Sequence, residues 1–380
     1  MKRSILLFIF LLLCLSLAWA QSGEPAVNPH QLRFNGQLTA WGGVGWNEKW
    51  DCWGGGRYIP QLYYGYSGSK KGLFDFEGAA RIEGEYGYRS KPQWDGDVEA
   101  YRFWARYSNK NSEIRLGLQK IDFGSAQIFR PLMWFNEIDP RDPLQITNGV
   151  WGGLYRHYFK NNANIWFWAL AGNKKIKGWE TFETHGKLRP EVGGRVQMPF
   201  PSGEVALSYN LREVELPFLL GSGSTMEHRF GFDVRVDVEV GLWLETSWSH
   251  YQRELLRFSN QNIVTLGADY TFGLGNGLSV IAEHMLFGIG EKAFSFEDPR
   301  HFSALSFDYP FGVFDKVNTL FYYDWKSEQV YSFLSWHKQY NSLDFYLIGY
   351  WNPKTSNLPI ENAFSRFTGK GMQIMVVWNH

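Results

Sequence analysis

Hydrophobic and polar residues alternate along most of the chain, and the segment LFDFEGAARIEGEYG at residues 73 to 87 shows this most clearly. Its even positions carry apolar or aromatic side chains or glycine. Its odd positions include five charges, at Asp75, Glu77, Arg81, Glu83 and Glu85. A period of two predicts a β-strand with one apolar and one polar face. The apolar face of such a strand can meet a protein core or lipid, and the alternation alone leaves both open.

The same period recurs along the whole chain, in segments of about the ten residues that a tilted membrane strand requires. The cleanest segments cover 32–44, 57–66, 73–87, 99–107, 113–119, 188–198, 204–212, 227–237, 239–248 and 264–272. Less regular or shorter ones lie near 149–159, 163–171, 278–287, 301–309, 317–325, 329–337, 343–351 and 371–378. The sequence therefore predicts an all-β protein of about eighteen strands, with sixteen to eighteen as the range.

The links between these segments alternate between short and long. Short links rich in Gly, Asn, Pro and Ser lie at 67–72, 108–112, 160–164, 199–203, 237–240, 273–277, 310–316 and 338–342. Long links include 120–148, 172–187, 213–226, 250–262, 287–300 and 352–370. This rhythm is typical of a transmembrane up-and-down antiparallel β-barrel with short periplasmic turns and long extracellular loops. A soluble sandwich gives no reason for it, so we expect the apolar face to meet lipid.

The N-terminus predicts export. Lys2 and Arg3 precede the apolar run ILLFIFLLLCLSL, and AWA at residues 18 to 20 provides a small-x-small cleavage site. These features predict a signal peptide over 1–20, cleaved after Ala20. An N-terminal membrane anchor is the less favoured alternative, because the run is short for a span. We expect a short periplasmic segment at 21–30 and the barrel over 31–380.

Composition agrees with a membrane barrel. Aromatic residues make up 18% of the chain and there are 40 glycines, both high for an ordinary soluble domain. Aromatics cluster at segment ends, as interfacial girdles would, at Trp46, Tyr86, Tyr107, Trp248, Tyr270 and Trp378. The 38 basic and 38 acidic residues balance, so no nucleic-acid partner is indicated. Cys52 is the single cysteine after residue 20, which excludes an intrachain disulfide.

A barrel of this size is too wide for side chains to fill, so an aqueous lumen is expected. With the parity above, most strand charges face that lumen. The candidate pore-lining residues are Asp75, Glu77, Arg81, Glu83, Glu85, Arg102, Arg106, Arg115, Arg189, Arg195, Arg229 and Arg235. Such charges set ion preference when they form rings. The alternative is that they pair across strands and only solvate the wall.

The longest link, KIDFGSAQIFRPLMWFNEIDPRDPLQITNG at 120 to 149, joins the predicted fifth and sixth strands. In this position the chain resembles the general porins, whose constriction loop joins the same two strands. The stretch RLGLQKIDFG…NEIDPRDPLQ (115–145) also resembles a motif of bacterial outer-membrane porin-like families. The resemblance implies a constriction formed by Arg130, Glu137, Asp139, Arg141 and Asp142. It also implies that apolar residues pin the loop to the inner wall, namely Phe129, Leu132, Met133, Trp134 and Phe135. A packed outer lid is the alternative.

The last strand, with Met372, Ile374, Val376 and Trp378 on one face, is similar to the strand by which such barrels are recognised for assembly. A terminal Phe is absent, and Asn379 and His380 follow instead. The resemblance places the chain in the bacterial outer membrane. It implies contacts with lipid, lipopolysaccharide and the barrel assembly machinery, and a homo-oligomer as a further option.

No catalytic motif stands out, and Glu283 and His284 point to opposite faces because they are neighbours in a strand. We therefore expect no enzyme, no metal and no cofactor. Two functions remain. The first is a channel for passive diffusion of small polar solutes or ions. The second is a barrel sheath for a multihaem c-type cytochrome in a trans-outer-membrane electron-transfer conduit.

Overall fold

The computed structural model describes residues 30–69, 72–88, 92–186, 189–255, 258–354 and 367–380. The predicted signal peptide and nearly all of the predicted segment at 21–30 lie outside these residues. None of the described helices is long and apolar enough to cross a bilayer. The described residues form eighteen β-strands and one short 3₁₀ helix, Phe218–Leu220.

The strands occupy nearly all of the described chain. Their bounds are β1 His30–Asn47, β2 Lys49–Ser69, β3 Gly72–Tyr88, β4 Pro92–Ser108, β5 Ser112–Gln119, β6 Val150–Tyr158, β7 Asn164–Leu170, β8 Glu191–Phe200, β9 Gly203–Leu216, β10 Gly223–Asp237, β11 Gly241–Tyr251, β12 Asn260–Phe272, β13 Leu278–Gly290, β14 Glu297–Pro310, β15 Asp315–Asp324, β16 Gln329–Tyr340, β17 Leu343–Trp351 and β18 Lys370–Asn379.

Each strand pairs antiparallel with its neighbours in sequence, and β1 pairs with β18 to close the ring. Leu38 lies opposite Trp378 at this seam. Below it, Gly36 and His380 exchange two backbone hydrogen bonds of 2.8 and 2.9 Å. Closure leaves no open sheet edge, which is the condition for a sheet to span hydrocarbon. The predicted up-and-down barrel and its strand number are confirmed.

The side chains alternate between the two faces as the sequence predicts. On β3, Phe74 and Ile82 are each 43% exposed on the outside, while Asp75 is 0% exposed on the inside. Exposed aromatic residues gather at both rims of the outer face. One rim carries Tyr66, Tyr107, Phe272, Phe311, Tyr340 and Trp378, and the other carries Trp46, Trp50, Trp94, Trp325 and Trp351. This arrangement is that of a barrel whose outer face meets lipid.

A bulge in β4 corrects one predicted side-chain direction. The register with β3 shifts between Ala79 and Ala80, so that Tyr101 is an extra residue on β4. Sequence alternation places Tyr101 on the outer face with Phe103. In the structure it borders an interior cavity together with Ile146. A β-bulge explains this, because the extra residue interrupts the alternation.

The two ends of the barrel differ, although less strictly than the sequence predicts. The end that holds His30 and His380, here the turn end, has links of two to five residues. They are 70–71, 109–111, 159–163, 201–202, 238–240, 273–277, 311–314 and 341–342. The opposite end, here the loop end, carries the long links 120–149, 171–190 and 352–369. Glu48 alone joins β1 to β2, and the expected long links at 213–226 and 287–300 shrink to 217–222 and 291–296 because their strands continue further.

Candidate functional site

The loop of residues 120–149, here the inner loop, folds into the lumen. Its Phe129 ring lies 5.6 Å from the Tyr322 ring and 6.3 Å from the Phe302 ring, centroid to centroid. Both partners are buried on the inward faces of β14 and β15. The inner loop therefore crosses the barrel interior and reaches the wall opposite its own strands. The packed outer lid is excluded.

Two buried carboxylates of the wall hold the far part of the inner loop. Glu283 accepts the backbone N–H groups of Gln127, Ile128 and Phe129 at 2.7, 3.1 and 2.6 Å. Glu245 accepts the backbone N–H groups of Ala126 and Leu132 at 2.8 and 2.7 Å. These bonds satisfy loop amides that the lumen would otherwise leave without a partner.

The near part of the inner loop packs on the wall beside its own strands. Phe123 stacks on Trp168 of β7 with ring centroids 5.7 Å apart, and the Arg195 guanidinium lies 5.0 Å from the Phe123 ring. Arg130 donates to Asp122 at 2.7 Å, which ties two points of the loop together. The inner loop is thus fixed by aromatic packing on both sides of the lumen and by backbone hydrogen bonds to Glu245 and Glu283 on the far side.

The loop of residues 171–190, here the second loop, also turns inward. Phe182 contacts Tyr251 of β11, and Thr184 forms an isolated β-bridge with Val214 of β9. Trp179 donates its indole N–H to the Arg130 carbonyl oxygen of the inner loop at 2.8 Å. The two loops together fill the side of the lumen that β5 to β16 enclose. The aqueous lumen expected from the strand number is therefore narrowed by two loops.

An open space remains on the other side of the lumen. This side cavity of about 300 Å³ lies between the inner loop and the wall formed by β1–β4, β17 and β18. Its polar lining consists of Arg57, Glu83, Glu85, Asp95, Asp97, Gln373, Asp139, Arg141 and Asp142, with Trp41 and Phe367 among the apolar contributors. Six carboxylates against two guanidiniums give the side cavity a negative electrostatic potential.

The two guanidiniums differ in their partners. Arg141 makes a bidentate ion pair with Asp139, with both N–O distances at 2.8 Å, and lies 5.0 Å from the Phe367 ring. Arg57 lies 5.9 Å from the Trp41 ring, and within the described chain its Nε has no hydrogen-bond partner. Asp139 is neutralised in place by Arg141, whereas Arg57 faces the acidic wall.

Burial changes the pKa of Asp142, a carboxylate of the inner loop. Burial raises its pKa above the ordinary value of 3.8, although the Leu144 backbone N–H and the Arg57 charge act in the opposite direction. The Asp142 carboxylate accepts the Leu144 N–H at 3.0 Å. It is therefore a lumenal group whose charge depends on pH above the usual range of an aspartate.

A second space continues toward the turn end. This turn-end cavity of about 440 Å³ is lined by Asn35, Gln37, Ile59, Gln61, Tyr101, Ile146, Asn379 and His380. Asp139, Asp142 and Pro143 of the inner loop border the side cavity, and Ile146 borders the turn-end cavity. The segment 139–146 thus stands between two cavities that lie in series along β1 and β2.

Only some of the residues predicted for the constriction border the side cavity. Asp139, Arg141 and Asp142 border the side cavity, whereas Arg130 and Glu137 do not. Arg130 pairs with Asp122 within the loop, and Glu137 is half-buried, with its pKa raised by burial and then by the Glu180 charge.

The predicted pore-lining residues are mostly paired. Glu83 and Glu85 border the side cavity, and Arg102 donates to Thr147 of the inner loop at 2.9 Å. The ion pairs of the other residues are Asp75–Arg106, Arg81–Glu99, Arg115–Glu113, Arg195–Asp233, Arg229–Glu227 and Arg235–Asp269. Arg189 lies before β8 and pairs with Glu213, and Glu77 lies on β3 opposite Trp104.

Sequence reasoning missed several residues of the side cavity, among them Trp41, Arg57, Asp95 and Asp97. The sequence places no strand at 89–98, although Asp95 and Asp97 alternate with the outward Trp94 and Val98. That local alternation is the signal that would have found the two aspartates.

No family model and no curated protein sequence matches the chain. Solved structures do. OccAB4 of Acinetobacter baumannii aligns with a TM-score of 0.57 at 9% identity, over 92% of this chain and 98% of that one. OccK5 (OpdH) of Pseudomonas aeruginosa gives 0.55 at 11%, over 91% and 97%. The outer membrane channel DcaP of A. baumannii gives 0.50 at 8%, over 95% and 100%. The chain shares their barrel fold. At these identities the likeness concerns the fold alone.

Proposed function

We propose that this protein is a bacterial outer-membrane channel that lets small polar solutes or ions diffuse passively past the inner loop. The observation that carries the proposal is the pair of cavities in series beside residues 139–146, within a closed barrel whose outer face is apolar. Because a fixed loop narrows the barrel from within, a short polar path remains, and a solute can pass along it without a chemical step. The fold that it shares with DcaP, an outer membrane channel by name, supports this assignment.

The lining favours cations. A solute in the side cavity meets the carboxylates of Glu83, Glu85, Asp95 and Asp97 on one wall, and Asp142 on the loop. Rings of acidic side chains select cations in a pore because they lower the energy of a positive charge relative to a negative one. We therefore infer that small cations and cationic solutes pass more readily than anions of the same size.

The second candidate, a sheath for a multihaem cytochrome, has less support. Such a partner must enter the lumen, but the inner and second loops occupy most of it. A remaining space of about 300 Å³ suits a small molecule and excludes a folded protein. The proposal also involves no catalysis, and oligomerisation and contacts with lipopolysaccharide remain predictions.

Planar-bilayer recording on the refolded protein tests the proposal. We expect discrete conductance steps, with a reversal potential in a KCl gradient that shows preference for K⁺ over Cl⁻. Arg141→Ala removes a guanidinium of the side cavity and changes both current and selectivity. A folded barrel that never conducts overturns the channel assignment. Unchanged current and selectivity in Arg141→Ala removes the inner loop from the path.

A further inference from the structure

The second loop is locked to the wall by an ion network that lies wholly within the barrel. Glu180 of this loop contacts Arg212 of β9 at 2.9 Å and Arg229 of β10 at 3.1 Å. Glu227 of β10 pairs with the same two guanidiniums, with 3.0 Å to Arg229 and a short contact to Arg212. All four side chains are at most 3% exposed.

The loop supplies one of the carboxylates around these two guanidiniums, and buried Glu191 of β8 is a further negative charge near them. Among these four contacting side chains, the wall supplies two guanidiniums and one carboxylate, and Glu180 supplies the second carboxylate. Removing one partner of a buried ion pair leaves an uncompensated charge in a medium that solvates it poorly. Buried polar networks of this kind are rigid only when every member is satisfied. Glu180 is therefore bound in one position, although it lies in a loop.

The second loop in turn restricts the movement of the inner loop, because the two loops are in close contact. Gly178 packs so closely on the inner loop that an added Cβ would collide with the Met133 carbonyl oxygen. Trp179 donates to the Arg130 carbonyl oxygen at 2.8 Å. The space enclosed by Trp134, Trp179 and the β10–β12 wall is only about 10 Å³, which is too small for more than one water. The loops thus meet without room to slide.

Three further hydrogen bonds fix the second loop beside Glu180. Thr181 donates its hydroxyl to Gln261 of β12 at 2.9 Å, and the Gln261 amide donates to the Trp179 carbonyl oxygen at 3.0 Å. Arg212 also donates to the Phe182 carbonyl oxygen at 3.1 Å. Residues 179 to 182 are therefore held on both sides by the wall, with Glu180 at their centre.

From these contacts we infer that Glu180 is a positioning residue for conduction, acting through the second loop to hold the inner loop at a fixed distance from β1–β4. The inference rests on the proposed channel function, because the distance concerned is the width of the path. Glu180 itself lies on the far side of the inner loop from the side cavity and lines no part of it. Its effect on current is therefore indirect.

Glu180→Gln tests the inference, with Glu183→Gln as the matched control. Glu183 lies three residues further along the same loop, is about half exposed at 51%, and pairs with Lys174 at 3.6 Å. We expect Glu180→Gln to raise open-channel current noise and the frequency of brief closures several-fold, with a broader conductance distribution. Glu183→Gln is expected to record as the unmodified protein does.

A second variant separates positioning from general damage. Glu180→Gln combined with Arg229→Gln removes one charge of each sign, and we expect it to restore much of the steady current. Circular dichroism and the gel mobility of the unheated barrel report folding for every variant. If folded Glu180→Gln conducts with unchanged noise and selectivity, the inference fails while the channel assignment stands. If the unmodified protein does not conduct, the channel assignment fails first.

Discussion

The Glu283 carboxylate accepts the Phe129 backbone N–H at 2.6 Å, across more than 150 residues of sequence. This bond joins the inward face of β13 to the far part of the inner loop. The adjacent N–H groups of Ile128 and Gln127 bind the same carboxylate. Glu283 therefore helps to fix where the loop crosses the lumen, and it does so through the loop backbone.

Replacing Glu283 is expected to release the loop. In Glu283→Ala three loop N–H groups lose their acceptor, and each buried donor left unsatisfied costs about 1–3 kcal/mol. We expect a lower thermal unfolding temperature and a larger, noisier single-channel conductance. Glu283→Gln keeps one acceptor oxygen, so its unfolding temperature and conductance are expected to lie between those of the unmodified protein and those of Glu283→Ala.

His284→Ala is the control, because His284 is the next residue of β13 and faces outward, where it bonds Ser303 at 2.9 Å. Its conductance is expected to match that of the unmodified protein. If Glu283→Ala left conductance and noise unchanged, Glu283 would not position the loop.

The carboxylates of the β3 and β4 wall are expected to set ion preference. A unit charge about 8 Å away in water shifts the energies of a cation and an anion by about 0.5 kcal/mol each, in opposite directions, so it changes the K⁺/Cl⁻ permeability ratio about fivefold. Glu83→Gln and Asp97→Asn should each lower the K⁺/Cl⁻ permeability ratio by about that factor. Reversal potentials in a salt gradient measure the ratio.

Asp315→Asn serves as the control for these two variants. Asp315 lies at the turn end of β15, pairs with Lys338 at 3.0 Å and does not border the side cavity. An equal loss of selectivity in Asp315→Asn would show that overall charge, rather than the side cavity, governs the ratio.

Neutralising Arg57 is expected to act in the opposite direction. Arg57 faces the acidic wall, and its Nε has no hydrogen-bond partner within the described residues. Arg57→Gln removes the repulsion that it exerts on cations, so the K⁺/Cl⁻ permeability ratio should rise. A fall in the ratio, measured by the same reversal potentials, would place Arg57 outside the conducting path.

Acidification is expected to reduce cation preference earlier than ordinary carboxylates allow. Because burial raises the pKa of Asp142 above 3.8, this residue becomes neutral at a higher pH than an exposed aspartate does. The K⁺/Cl⁻ permeability ratio should fall as the pH decreases toward that pKa. In Asp142→Asn this early part of the decline should be missing, and a pH profile identical to that of the unmodified protein would refute its assignment to Asp142.

Much of the barrel follows from local pattern. The alternation in residues 73–87 predicts which side chains face out, and Phe74 and Asp75 lie as expected because a strand turns successive side chains to opposite faces. The start of β2 was not predictable in the same way. Gly54, Gly55 and Gly56 read as a turn signal, yet they lie in a strand, where a Cβ at Gly55 would come within 2.7 Å of the Trp41 ring. Gly55 makes room for a cross-strand tryptophan.

The candidate site was less predictable than the barrel. The motif at 115–145 indicates an inward loop and names Asp139, Arg141 and Asp142, which border the side cavity. It cannot indicate Glu245 or Glu283, because their partners are backbone amides more than 110 residues away. Nor does it indicate the second loop, whose position depends on the ion pairs of Glu180. Long-range contacts of this kind leave no local period in the sequence.

The side cavity lies to one side of the lumen, so the two halves of the barrel have different roles. β1 pairs with β18, so the first and the last described strands lie side by side. These strands, with β2 to β4, β17 and residues 139–143 of the inner loop, supply almost all residues that line the side cavity. The opposite half of the barrel holds the inner and second loops in place. Substitutions in β2 to β4 can therefore change which solutes the protein admits while the contacts that hold the two loops in the other half stay intact.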